Sequence, residues 1–148
     1  MKKHIFGLAG AGLLLVGAFY LVPAQEKLPD LPVLTEKGYN AVGKKDVFVM
    51  LVGKDSCRPC LVAKKYLVPL LLERYKGNQH VHVVKVDIEE VDAFEREFVR
   101  VFEVKVTPTL FVVQDGQVLW GQEGFDKEET DAVLKDIADA VNEALKAI

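Results

Sequence analysis

The sequence predicts an α/β fold with a mixed central β-sheet that is flanked by helices on both faces. The hydrophobic periodicity alternates between strand-like and helix-like segments over residues 34–147, in the order α, β, α, β, α, β, β, α. A helix between the first two strands predicts a parallel pair, whereas the Asp115-Gly116 turn between the last two predicts an antiparallel hairpin. A βαβ unit that ends in such a hairpin gives a mixed sheet covered on both sides.

The first half of this pattern contains two helices and a strand. Residues 34–45 predict a weak helix, and the apolar run at 47–53 has the length and composition of a strand that is buried on both faces. Residues 58–76 have apolar side chains at three- and four-residue steps, which predicts a helix. Pro69 is expected to kink that helix.

The second half repeats the alternation and closes with a helix. The β-branched segment 80–88 predicts a strand, and residues 91–103 return to helical spacing. Residues 109–122 predict the two strands of the hairpin. Residues 126–147 predict an amphipathic helix.

The amino terminus has the features of an export signal. Two lysines precede an uncharged apolar run at 5–22, and Val22 and Ala24 have the small-residue spacing that signal peptidases accept. We therefore expect residues 1–24 to be a signal peptide that is cleaved after Ala24. The alternative is a retained membrane anchor, since 18 apolar residues just reach the span of a bilayer.

Both interpretations place the rest of the chain in the periplasm or another extracytoplasmic compartment, because positive charge before an apolar segment tends to stay inside. Membrane attachment is expected only if the segment is retained. Residues 25–33 continue a proline-rich stretch and predict a linker without chemistry of its own, which leaves residues 34–148 as the folded domain.

The charge of the chain argues against nucleic acid as a partner. The formal net charge is −3 and becomes −5 when the signal is removed, because Lys2 and Lys3 are lost without any acid. Nucleic-acid-binding domains are usually basic. Nucleic acid is therefore not an expected partner.

The two cysteines of the chain, Cys57 and Cys60, lie two residues apart where the first apolar strand meets a helix. A cysteine at a helix N-terminus sees a partial positive charge, so the pKa of the Cys57 thiol is expected to fall below its ordinary value of about 8.5. Arg58 adds a cation, and Pro59 suits the first helical turn. Cys60, one turn further and more buried, can form a disulfide with Cys57, so the pair can attack and then resolve a substrate disulfide.

The sequence allows other uses of the two thiols. His80 and His82 lie at the start of a strand, roughly 16 to 23 Å from the thiols if the neighbouring strands are parallel, so no shared metal site is predicted. Copper held by the cysteines alone stays open, because thiolates are soft ligands. A purely structural disulfide across two residues would constrain little of the unfolded chain.

The sequence resembles the thioredoxin family from about Leu34 to its end. Three features carry the resemblance: the CRPC motif that opens a helix, the segment VTPTLFVV with Pro108, and the DGQV turn followed by Gly121 and Gly124. The resemblance implies the thioredoxin fold and a thiol-disulfide oxidoreductase without a bound cofactor. It also implies protein disulfides or dithiols as substrates, and a membrane or soluble redox partner.

The resemblance assigns roles to two further residues. Pro108 occupies the position of the family's cis-proline beside the cysteine motif, and the backbone of Thr107 is expected to pair with the substrate strand. X-Pro bonds are otherwise mostly trans.

The sequence departs from cytosolic thioredoxins near the cysteines. Ser56 stands where they have a Trp, and Leu51 stands where they have a buried Asp that helps to move a proton from the second cysteine. That proton step is therefore in doubt. Lys85 aligns with a lysine near the family's acid and is a candidate for tuning the thiols, and the alternative is a solvated residue at the end of its strand. Trp120 is expected to pack rather than to react.

The spacing between Cys60 and Pro108 favours one direction of electron flow. Residues 61–107 leave no room for the large helical insertion of the dedicated disulfide-oxidising relatives, which favours a reductase. An oxidase or isomerase stays open because of Thr107, and so does a redox-sensing or copper-carrying module.

We predict that the mature protein begins at Gln25, because Val22 and Ala24 precede that position. Intact mass spectrometry of the exported protein should give the mass of residues 25–148. Recovery of the full-length mass from a membrane fraction would establish the anchor instead.

Overall fold

The computed structural model of the protein describes residues 27–89 and 93–148. Its elements, in chain order, are α1 (Glu36–Ala41), β1 (Val47–Gly53), α2 (Arg58–Tyr66), α3 (Val68–Arg74), β2 (Val81–Asp87), α4 (Ala93–Val101), β3 (Thr109–Gln114), β4 (Gln117–Glu123) and α5 (Thr130–Leu145). A single 3₁₀ turn, Lys127–Glu129, precedes α5. The predicted order of strands and helices is confirmed; of the helix predicted at 91–103, residues 91 and 92 lie outside the described part.

The strands form one four-stranded mixed sheet in the order β2-β1-β3-β4. Strand β1 pairs in parallel with β2, and β3 pairs antiparallel with both β1 and β4. All seven residues of β1 are buried, as expected for a strand with neighbours on both edges and helices on both faces. The predicted fold class is confirmed.

Helices cover the two faces of the sheet with separate apolar clusters. On one face, α2, α3 and α5 pack against Val47, Val49 and Leu51 of β1. On the other face, the residues around α1 and α4 pack against Phe48, Met50 and Val52. The alternation of β1 side chains between the two clusters follows from the two-residue period of a strand.

The helix predicted at 58–76 is divided into two. Helix α2 ends at Tyr66, Leu67 separates the helices, and Pro69 lies in the first turn of α3. Proline lacks the N–H that would continue the α2 hydrogen-bond ladder, and its ring is tolerated in a first helical turn. The predicted kink is therefore a break.

The Asp115-Gly116 turn joins β3 and β4 as predicted. Both residues have positive φ angles, 48° and 75°, which the tight turn of a two-residue hairpin requires and which Asp and Gly tolerate better than other residues. Sequence therefore determines this connection locally.

The segment before α1 packs against the domain. Leu31 has 5% of its surface exposed and belongs to the cluster under α2, α3 and α5. Val33 forms a parallel bridge with Lys85, whose N–H donates to the Pro32 oxygen at 2.9 Å and whose oxygen accepts the Leu34 N–H at 2.8 Å. Residues 31–33 of the predicted linker are thus attached to the edge of β2.

The predicted signal peptide, residues 1–24, lies outside the described residues. Among the helices that the structure does describe, none combines the length and the apolar character needed to cross a membrane.

Candidate active site

The cysteine pair lies where β1 ends and α2 begins. Cys57 is the N-cap residue of α2, which starts at Arg58, and a disulfide joins it to Cys60 with 5.2 Å between the Cα atoms. The buried strand fixes the start of the loop at Gly53, and the helix fixes its end. The loop that leads to the cysteines is therefore anchored at both ends.

The Cys57 sulfur occupies the position at which a helix N-terminus favours negative charge. Its Sγ accepts a hydrogen bond from the Cys60 N–H at 3.2 Å, as an N-cap side chain does. The unpaired N–H groups of a first helical turn carry about half a positive charge. A Cys57 thiolate would be stabilised by both effects once the disulfide is reduced.

Arg58 and Pro59 occupy the first turn of α2, and both are exposed. Pro59 has no N–H, so its presence there leaves no helix donor without an acceptor. Arg58 places a guanidinium next in sequence to the N-cap sulfur. The tuning role that the sequence predicts for the two residues stays a prediction.

Cys60 differs from Cys57 in its surroundings rather than in its degree of burial. The sequence predicts a more buried Cys60, yet as whole residues the two are nearly equal, with 8% of Cys57 and 7% of Cys60 exposed. A methyl group placed on Gly53 would lie 2.9 Å from Cys60 Sγ, closer than carbon and sulfur can pack. Glycine at the end of β1 is therefore required for the sulfur to sit against the strand.

A small cavity of about 40 Å³ adjoins Cys60 on the side of the sheet that α2 covers. Leu51 lines it in the position where cytosolic thioredoxins have an acid, and that side chain is 9% exposed. Lys64, Lys85 and Asp30 line it as well. Charged groups thus come close to the inner cysteine although β1 itself carries none.

Lys85 is held at this cavity by the segment before α1. Its Nζ lies 3.0 Å from Asp30 Oδ1, and Lys64 Nζ lies 3.4 Å from the same oxygen. The hydrogen bond from Lys85, with the charge of both lysines, holds the pKa of Asp30 below its usual value. Lys85 is thus an ion-paired residue with 20% of its side chain exposed, rather than a solvated strand end.

The Thr107–Pro108 peptide bond is cis, as the resemblance implies. Pro108 is buried, and its oxygen accepts the Gly124 N–H at 2.8 Å. The Thr109 hydroxyl donates to the Val106 oxygen at 2.6 Å. These bonds hold the backbone of this loop in one conformation.

The loop before β3, which contains Thr107 and Pro108, lies at the same end of the sheet as the cysteines. Thr109 pairs with Val52 in the antiparallel ladder of β1 and β3, so the residues before Thr109 face the residues after Val52. The structure therefore brings Thr107 and Pro108 to the end of the sheet that carries Cys57.

The two histidines of the 80–88 segment lie at the opposite end of β1. His80 Nδ1 and His82 Nε2 each lie 2.9 Å from an oxygen of Asp46, which precedes β1. Their hydrogen bonds hold the pKa of Asp46 below its usual value. In the stretches 27–89 and 93–148, no group of three or more His, Cys, Asp or Glu side chains could hold a metal ion.

Two site residues were missed by sequence reasoning. Gly53 could have been found, because a glycine that ends a buried strand just before a cysteine motif suggests a close approach of another side chain. Asp30 lies in a proline-rich segment that has no periodic pattern. Its contacts with Lys64 and Lys85 depend on how that segment crosses the edge of β2, for which the sequence gives no signal. Trp120, as expected, packs against the core.

Comparison with known proteins finds related sequences. The chain is 32% identical over 107 residues to a disulfide bond formation protein of Brevibacillus choshinensis, a match that covers 71% of this chain and 81% of the relative. It is 27% identical over 104 residues to thioredoxin H5 of Arabidopsis thaliana, covering 70% and 81%. No family model matches the sequence.

Solved structures share the arrangement of helices and strands. Oxidised mitochondrial thioredoxin 3 of Saccharomyces cerevisiae superimposes with a TM-score of 0.55 at 23% identity, covering 72% of this chain and 94% of that one. A redox protein of Chlamydomonas reinhardtii gives a TM-score of 0.58 at 24% identity, covering 77% of this chain and 37% of its own. At these identities the likeness establishes the fold.

Proposed function

The chain belongs to the thioredoxin-like family and is a thiol-disulfide oxidoreductase of that type, and on this premise we propose that it reduces protein disulfides outside the cytoplasm. Cys57 is the attacking residue and Cys60 is the resolving residue in this proposal.

The observation that carries the proposal is the position of Cys57 Sγ at the N-cap of α2. A thiol attacks a disulfide only as its thiolate, and the Cys60 N–H already donates to this sulfur at 3.2 Å. Cys60 Sγ lies instead against Gly53 and the inner cavity. The electrostatics of the helix start therefore favour Cys57 as the nucleophile.

The reaction uses both thiols in sequence. The Cys57 thiolate attacks one sulfur of a substrate disulfide, so that a mixed disulfide forms and the other substrate sulfur leaves with the electron pair. Cys60, as its thiolate, then attacks Cys57 Sγ, which forms the disulfide seen in the structure and releases the second substrate thiolate. The substrate gains two electrons, and the protein must be reduced again by a membrane or soluble redox partner.

The loop before β3 is suited to hold an extended substrate segment. By resemblance, the Thr107 backbone pairs with the substrate and Pro108 packs beside the cysteine motif. Val106, which precedes the pair, and Leu61, which follows Cys60, are exposed at 44% and 43%. Apolar side chains on both sides of the cysteines would contact the residues that flank a substrate cysteine.

Two considerations bear on the direction of electron flow. The short segment between Cys60 and Pro108 favours a reductase, as argued from the sequence. The Brevibacillus choshinensis relative is named a disulfide bond formation protein, and this name supports an oxidase as the second candidate. Both directions use the same cysteines and the same mixed disulfide.

The extracytoplasmic location is supported by the sequence of residues 1–24, with two lysines before an apolar run and a small-residue cleavage site. A domain exported in this way would meet protein disulfides in an oxidising compartment. A reductase there needs electrons from elsewhere, which is why the proposal includes a redox partner.

We predict that Cys60→Ser accumulates substrate proteins bound through Cys57, because attack can proceed while the residue that releases the product is absent. Cys57→Ser is the matched control and should trap few partners, since the sulfur of Cys60 faces the strand. A non-reducing gel of each variant, recovered from its native compartment and compared with a reduced lane, measures the adducts.

Equal trapping by both variants would contradict the assignment of Cys57 as the nucleophile. No adducts from either variant, together with tight copper binding by the parent that both substitutions weaken, would indicate a copper carrier instead.

The direction of electron flow can be tested through the reduction potential of the Cys57–Cys60 pair. For a reductase we expect a value near that of thioredoxins, about −270 mV, because electron donation to protein disulfides requires a low potential. Equilibration with dithiothreitol buffers measures it. A value near about −120 mV, typical of strong disulfide oxidants, would establish the oxidase.

A further inference from the structure

Resolution requires Cys60 to lose a proton in a place that water reaches poorly. Cys60 is 7% exposed, and its sulfur lies against Gly53 at the end of β1. A thiol of ordinary pKa is mostly protonated at neutral pH. This question rests on the proposed function, because it concerns the step in which Cys60 releases the substrate.

The cavity behind Cys60 offers a route for that proton. Its volume of about 40 Å³ exceeds the roughly 10 to 15 Å³ that one water molecule requires. Its lining includes Cys60 together with the charged side chains Asp30, Lys54, Asp55, Lys64, Lys85 and Asp87. Most of the cavity wall is apolar, but these charged residues border a space that has room for one water molecule between the thiol and a carboxylate.

Asp87 is the carboxylate that the sheet places beside Cys60. It ends β2, and the parallel register of β1 and β2 sets it directly opposite Gly53. The Ile88 N–H donates to the Gly53 oxygen at 3.0 Å, which fixes the ends of the two strands together. Neighbouring strands lie about 4.8 Å apart, and Gly53 is in contact with Cys60 Sγ. Asp87 and Cys60 thus line the same small cavity at the ends of the two strands.

Asp30 is less suited to accept a proton, although it lines the same cavity. Its Oδ1 is paired with both Lys85 and Lys64, and these lysines hold the pKa of Asp30 below its usual value. About half of its side chain, 54%, is exposed. The ion pair with Asp30 holds the ammonium group of Lys85 next to the segment before α1.

The remaining charged residues that line the cavity come from the loop after β1. Lys54 and Asp55 belong to the exposed loop after β1, and the Asp55 N–H donates to Glu89. The Glu89 N–H in turn donates to Asp87 Oδ1 at 2.9 Å. This bond orients the carboxylate of Asp87 at the end of its strand.

We propose that Asp87 accepts the proton of Cys60 through the cavity during resolution of the mixed disulfide. The proton passes from Cys60 Sγ to the carboxylate, and the thiolate attacks Cys57 Sγ. The sulfur–sulfur bond between Cys57 and Cys60 forms, and the bond between Cys57 and the substrate breaks. The electron pair leaves on the substrate sulfur, and the proton on Asp87 returns to solvent or to that thiolate.

The test follows the two chemical steps separately with the aromatic disulfide 5,5′-dithiobis(2-nitrobenzoate) and the reduced full-length protein. Each mole of protein releases one coloured thiolate when Cys57 attacks and a second when Cys60 resolves. We expect Asp87→Asn to leave the first phase unchanged and to slow the second at least about tenfold near neutral pH, since general-base assistance is typically worth about 10²–10⁴.

The pH profile separates proton transfer from a structural effect. The slowing should shrink as the pH rises, because hydroxide then removes the proton of the Cys60 thiol without the help of a carboxylate. Asp87→Glu, which keeps a carboxylate, should recover most of the second phase if the asparagine variant folds poorly. Asp55→Asn is the matched control from the same cavity and should leave both phases as in the parent.

A second phase in Asp87→Asn that is unchanged or faster near neutral pH would overturn the inference, because loss of an anion alone favours the thiolate. Equal slowing at all pH values would also overturn it and indicate misplacement of Cys60. Failure of the parent to show a second phase would instead contradict the proposed function.

Discussion

The burial of β1 at the centre of the sheet is the constraint on which the site depends. All seven of its residues are buried, it pairs with β2 on one edge and β3 on the other, and helices cover both of its faces. A strand held on four sides has little freedom at its end. Cys57 follows that end by four residues and caps α2, so the packing of β1 is transmitted directly to the position of the reactive sulfur.

The fixed position of β1 also gives the two cysteines different surroundings. Cys57 Sγ accepts a backbone N–H at the start of a helix, where the peptide dipoles favour an anion. Cys60 Sγ lies against Gly53, which must lack a side chain to admit it. The two residues are almost equally buried, but their sulfurs contact different groups. This difference determines which cysteine attacks first and which one resolves.

Leu51 stands where cytosolic thioredoxins have a buried Asp, and charged groups from other elements lie near Cys60 instead. With no acid in β1, the charged residues at the inner cavity come from β2, from α2, from the segment before α1 and from the loop after β1. The pairing of Asp30 with Lys85 and Lys64 keeps two cations at the wall of the cavity. The segment that the sequence presents as a linker thus contributes to the environment of the inner thiol.

Much of this arrangement could be predicted because it depends on local sequence. The apolar run of β1, the Asp115-Gly116 turn and the cysteine spacing each specify a structure within a few residues, and the cis bond before Pro108 followed from resemblance. The break at Leu67 was predicted only as a kink, since the sequence shows that Pro69 disturbs the helix but not how the two parts pack.

The contacts that could not be predicted join residues far apart in the chain. Asp30 meets Lys85 only because residues 31–33 attach to the edge of β2, and Asp87 stands beside Gly53 only through the register of two strands. Periodicity identifies strands but does not fix their register with a partner. The sequence therefore identified the two cysteines, but most of the residues around them could be identified only in the structure.

The most direct test of this account is the titration of the Cys57 thiol, measured by thiolate absorbance in the Cys60→Ser variant with Cys57→Ser as the reference. The account predicts a Cys57 pKa at least about one unit below the ordinary cysteine value of about 8.5. A Cys57 pKa at or above that value would contradict the claim that the start of α2 makes this sulfur the nucleophile.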